Sequence, residues 1–153
     1  MRAVTLCLLL LAAAQALAGE PEIRFLNPPG LFQPTTFSQI ATVEDATLVL
    51  ISGQTARDAA GNLVGKGDLK AQTTQVFENL RIALEAVGAG FKDVAKLTTF
   101  VVNLKPNDRV MIAEVIGKYF PAGRRPAHTL VGISALAVED LLIEIEATAA
   151  VGD

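Results

Sequence analysis

The stretch from Leu141 to Ala149, LLIEIEATA, limits the fold more than any other part of the chain. Leu141, Ile143, Ile145 and Ala147 fall on one parity, and Leu142, Glu144, Glu146 and Thr148 fall on the other. Alternation with period two belongs to a strand whose one face packs on a core while the other turns away from it. An earlier run, Thr47 to Gly53, is apolar on both parities, which suits a strand covered on both faces. A small domain covers one sheet face with its own helices, so the second cover points to contact between subunits.

The helices are legible from their periodicity. Asp68 precedes a stripe of Leu69, Val76, Phe77, Leu80, Leu84 and Val87, and Gly88 is placed to stop it. Asn107 or Asp108 is positioned to cap a second helix, whose stripe is Ile112, Val115, Ile116, Tyr119 and Phe120, with Pro121 beyond. Strands are expected at 23–26, 37–43, 47–53, 96–104, 127–133 and 141–149, and a glycine-rich polar loop at 58–67. The order strand, strand, strand, helix, strand, helix, strand, strand predicts a two-layer α/β or α+β domain, with two helices on one face of a mixed sheet.

Residues 1–18, MRAVTLCLLLLAAAQALA, combine a basic start, an apolar stretch and a small-x-small ending, the pattern of a cleaved signal peptide. The stretch is short for a spanning helix, which needs about 20 apolar residues. The expectation is therefore a secreted or periplasmic protein with one domain at 19–153 and no membrane contact after cleavage. Cys7 is the single cysteine and leaves with the leader, which removes disulfides, thiol nucleophiles and thiolate metal sites from consideration. The formal charge of −3 becomes one unit more negative once Arg2 is lost, and no basic stripe offers itself to phosphates, which argues against nucleic acid.

His128 is the only histidine, and it follows Pro126-Ala127 at the start of the expected strand 127–133. Val131 and Ile133 resemble a core face, which turns His128, Leu130 and Gly132 to the other side, the side expected for Glu144. A histidine and a carboxylate sharing a face near a subunit boundary could act as an acid/base pair. The plainer alternative is a histidine hydrogen-bonded across an interface and glutamates on a solvated strand. One histidine and no mature cysteine leave no recognisable metal-ligand spacing, and neither GxGxxG nor a P-loop occurs. Ser52 in ISGQ is not in a nucleophile-elbow context and reads as a strand-end residue.

In sequence order, FSQ (37–39), LISGQ (50–54), QTTQVFENL (72–80), KLTTFVVNL (96–104) and IEIEATA (143–149) together resemble the RidA (YjgF) family over almost the whole mature chain. The resemblance implies a chorismate-mutase-like α+β fold with a mixed six-stranded sheet, and a homotrimer with ligand clefts between subunits. It also implies hydrolysis of reactive enamines and imines without a cofactor. Glu144 matches the family's water-orienting glutamate, and Ser52 and Gly53 match its cleft-lining SGQ segment. Phe37 stands where the deaminases usually have tyrosine, and Ala113 where they carry asparagine. Active deaminases read Pro-Ala-Arg where this chain has Pro126-Ala127-His128, so the two-pronged carboxylate clamp is absent. His128 as anion contact or proton donor, with Arg125 and Leu130 beside it, takes that place. Two functions remain open: an exported imine or enamine deaminase of altered specificity, and a non-catalytic trimer binding a small molecule or a protein.

Overall fold

The computed structural model describes residues 22–152. The proposed leader, residues 1–18, lies outside them. Six strands and two helices follow the expected order: β1 (Glu22–Leu26), β2 (Ile40–Glu44), β3 (Thr47–Thr55), α1 (Leu69–Glu85), β4 (Val94–Val102), α2 (Pro106–Tyr119), β5 (Ala127–Ile133) and β6 (Ile143–Val151). A short 3-10 turn, Phe91–Asp93, leads into β4. Among the described residues no helix is long and apolar enough to cross a membrane.

The strands form a mixed sheet in the order β3-β6-β4-β5, with β4 and β5 parallel and the other pairs antiparallel. β1 and β2 make a separate antiparallel hairpin. A single parallel bridge between Ser38 and Ala127 ties the hairpin to β5, so the six strands fall into groups of two and four. The Ser38 hydroxyl donates to the Arg125 carbonyl at 2.7 Å and its N–H to the Pro126 carbonyl at 3.1 Å. Residues 37–39 are thus spent on fixing the loop, and β2 starts at Ile40 rather than Phe37.

α1 forms where the pattern places it. The Asp68 carboxylate accepts from the Ala71 N–H at 3.0 Å, and the helix buries Gln72, Thr73, Val76, Phe77, Leu80 and Leu84. Past its end Gly88 takes φ +71°, and the Ala89 N–H closes onto the Leu84 carbonyl at 2.9 Å. The cap of α2 differs from the expectation. Lys105 is the N-cap, Pro106 opens the helix, and Asp108 reaches back to accept from the Lys105 N–H at 2.8 Å. Proline at the first helical position has no N–H to orphan, which moves the start ahead of both expected caps.

Both helices lie on one face of the sheet, over Leu97 and Val101 of β4 and Ile143, Ile145, Ala147 and Ala149 of β6. Gln72 is fully buried and holds three backbone groups: its amide N donates to the Gly65 and Asp140 carbonyls, and its amide O accepts from the Leu142 N–H. This clamp fixes the chain just before Glu144. The other sheet face is partly covered by the hairpin, through Ile23, Ala95 and Ala150. The rest of that face is bare, and Leu50 and Leu48 are 78% and 58% exposed.

Candidate functional site

The parallel pairing of β4 with β5 sets Leu97 beside His128 and Thr99 beside Leu130. Leu97 and Thr99 are fully buried on the helix side, so His128 and Leu130 point to that side as well. The Thr99 hydroxyl and His128 Nε2 are 3.0 Å apart and share a hydrogen bond. β6 pairs Phe100 with Glu144 and Thr98 with Glu146, which puts both carboxylates on the bare face. His128 and Glu144 therefore do not share a face, contrary to the expectation from the sequence. The hydrophobic residues of β5 are split between parities, and the register with β4 decides the matter against Val131, which is 37% exposed.

On the helix side an open cavity of about 870 Å³ lies between β5, α2 and the loop before β2. His128 and Leu130 come from the strand, Phe37 from the loop anchored by Ser38, and Val110 and Ala113 from α2. Leu104 closes the end where β4 passes into α2. Arg125 is not part of this wall; its carbonyl serves Ser38, and its Nη1 is buried without a partner among the described residues.

The second group of expected residues meets on the bare face. β3 bulges between Ile51 and Gln54, and the irregularity brings Gly53 against β6. A Cβ on Gly53 would overlap the Glu144 carboxylate, so only glycine leaves that side chain its position. Ser52 sits exposed at the same bulge. The seven expected residues thus fall into a cavity group of Phe37, His128 and Leu130, a carboxylate group of Ser52, Gly53 and Glu144, and Arg125 apart from both.

Thr99, Val110 and Leu104 were not anticipated. Thr99 left a signal in the sequence: it alternates with Leu97 and Val101, and a hydroxyl at a core parity must find a partner. Its partner is the imidazole.

Burial pushes the His128 pKa down from 6.5 to about 4. Well above pH 6.5 the folded and unfolded chains both hold the ring neutral, and it gives no pH dependence. As pH falls from 6.5 toward 4 the unfolded chain takes up the proton first, so stability is lost over that window, about 3 kcal/mol in full. Urea unfolding across this range should show the loss in the wild type and lack it in His128→Leu. Equal slopes would mean that another group titrates there.

Comparison with known proteins identifies the family and the fold. Residues 33–151 match the model of the family described as Endoribonuclease L-PSP. A RutC family protein of Pyrococcus horikoshii is 38% identical over 107 residues, 70% of this chain and 82% of that protein. A 2-iminobutanoate/2-iminopropanoate deaminase of Dermatophagoides farinae is 31% identical over 124 residues, 80% of this chain and 92% of the deaminase. The crystal structure of YyfB, a Rid-family protein of unknown function from Yersinia pestis, superposes with a TM-score of 0.81 at 39% identity, covering 84% of this chain and 98% of YyfB. RidA from an Antarctic Psychrobacter gives a TM-score of 0.61 at 30% identity, with 78% and 92% covered.

Proposed function

This chain belongs to the RidA (YjgF) family, and from that membership we propose that it hydrolyses reactive imines and enamines at clefts assembled from neighbouring copies of itself. One observation carries the proposal. The sheet separates the cavity around His128 from the carboxylate of Glu144, so a single chain cannot bring them to one ligand. A second copy, laid with its bare face toward the cavity of the first, supplies Glu144, Gly53 and Ser52 to it. The exposed Leu48 and Leu50 would be covered in the same step. The family's homotrimer has the cyclic symmetry that repeats such a contact and closes it.

The chemistry needs little apparatus. The oxygen of a water forms a bond to the imine carbon while the C=N electron pair moves to nitrogen, which takes up a proton. Glu144 accepts the proton that the attacking water releases. The carbinolamine nitrogen then takes up a second proton, from the acid that Glu144 has become, the hydroxyl gives up its own, the C–N bond breaks with its electron pair leaving on nitrogen, and ammonia departs as the carbonyl forms. An enamine enters after protonation at carbon. Water and imine give a carbonyl compound and ammonia, with no redox change and no cofactor. The curated deaminase from Dermatophagoides farinae supports the reaction class. The acidic charge balance disfavours a polyanion in the same cleft.

Ammonia release from freshly generated imines, measured against the uncatalysed rate, tests the activity; a rate equal to that background across several imines sinks the proposal and leaves a binding module. The assembly has its own test. Light scattering should give a trimer for the wild type, and Leu50→Glu should give a folded monomer without activity, since Leu50 has little to lose inside its own chain. A wild-type monomer that hydrolyses imines would overturn the shared cleft.

A further inference from the structure

The cavity differs from a carboxylate site in what stands at its strand side. His128 Nε2 is taken by the Thr99 hydroxyl, and Nδ1 has no hydrogen-bond partner among the described residues. Either tautomer leaves one neutral donor or acceptor for a ligand. Phe37, Leu104, Val110, Ala113 and Leu130 add only apolar surface, and Thr36 is the one other uncharged polar side chain on the lining. The formal charges on the lining are Arg109 and Glu114, opposite in sign and both on exposed parts of α2. A carboxylate pressed against this strand would lose its water and find no cation on the strand itself, since Arg109 stands exposed on α2. Burial also keeps the imidazole neutral at ordinary pH.

Resting on the imine-hydrolase reading above, we propose that the site takes uncharged imines and enamines with an apolar body, the nitrogen analogues of simple aldehydes and ketones, and turns away 2-imino acids. On the strand side His128 recognises the nitrogen or the carbonyl oxygen that replaces it. Phe37, Leu104, Val110, Ala113 and Leu130 recognise the hydrocarbon. The cavity of the single chain, about 870 Å³ before a second copy closes over it, sets the upper limit on that body.

Binding reads this selectivity apart from the chemistry. Isovaleramide and isovalerate have nearly the same shape and differ in charge, and titration calorimetry on the full-length assembled protein at pH 7.5 compares them. The amide should bind at least about tenfold more tightly, a difference of about 1.4 kcal/mol. His128→Arg should reverse the order by supplying a two-pronged cation, and His128→Gln, which stays neutral and polar, should preserve it. Equal affinities, tighter binding of isovalerate, or no binding of either probe overturns the proposal. Amide preference without ammonia release from any imine would instead overturn the hydrolase reading and leave the selectivity in place.

Discussion

Replacing Glu144 with glutamine lowers ammonia release from imines at least about a hundredfold, the range lost when a positioned general base is removed. The substitution keeps the shape of the side chain, so the close contact with Gly53 survives. What it removes is the ability to take a proton from the attacking water. Glu144 is half-buried on the bare face and holds no ion pair or hydrogen bond among the described residues, so the fold has little stake in its charge. Trimer mass and unfolding free energy should therefore match the wild type while kcat falls. Gly53→Ala reaches the same group by a different route, pushing the carboxylate aside without changing its chemistry. A Glu144→Gln protein that keeps a third of the wild-type rate would show that the water is activated elsewhere.

The largest loss of stability should come from Phe77→Ala, about 3–5 kcal/mol by urea unfolding at fixed protein concentration. Phe77 is fully buried under α1 and stacks on Tyr119 with ring centroids 4.8 Å apart. Phe91 and Phe120 approach it at 5.8 and 6.4 Å. Tyr119 and Phe120 belong to α2 and its end, so this one ring joins the two helices as well as the helix layer to the sheet. Tyr119 is further held by donating to Glu78 of α1 at 2.9 Å, and burial with that bond pushes its phenol up to about 12. Such anchoring prevents the neighbours from collapsing into the space left by the ring. A cost below about 2 kcal/mol would mean that they collapse after all.

Most of the architecture was legible because local and tertiary preferences agree in it. β6 alternates strictly, and every inward residue from Ile143 to Ala149 is buried. Asp68 and Gly88 bracket α1 as their chemistry requires. β5 was misread for a physical reason. AHTLVGI carries an apolar residue on each parity, and as an edge strand it lies half under α2 and half in the open, so hydrophobicity could not assign its faces. The answer lay in the neighbouring strand, where the buried Leu97 and Thr99 fix the side on which His128 must lie. The bulge at Ser52 and Gly53 was hidden likewise, because an extra residue leaves no mark in a run already apolar on both sides.

The sheet that parts His128 from Glu144 also sets how damage to the gene is felt. In the proposed trimer each cleft is the joint property of two polypeptides. A chain whose cavity is filled, as by Ala113→Phe, still lends a sound carboxylate to its neighbour, and a chain lacking that carboxylate still offers a sound cavity. Mixed in equal amounts, two inactive alleles would rebuild about a quarter of the clefts. Heredity in such a protein is counted by the cleft rather than by the chain.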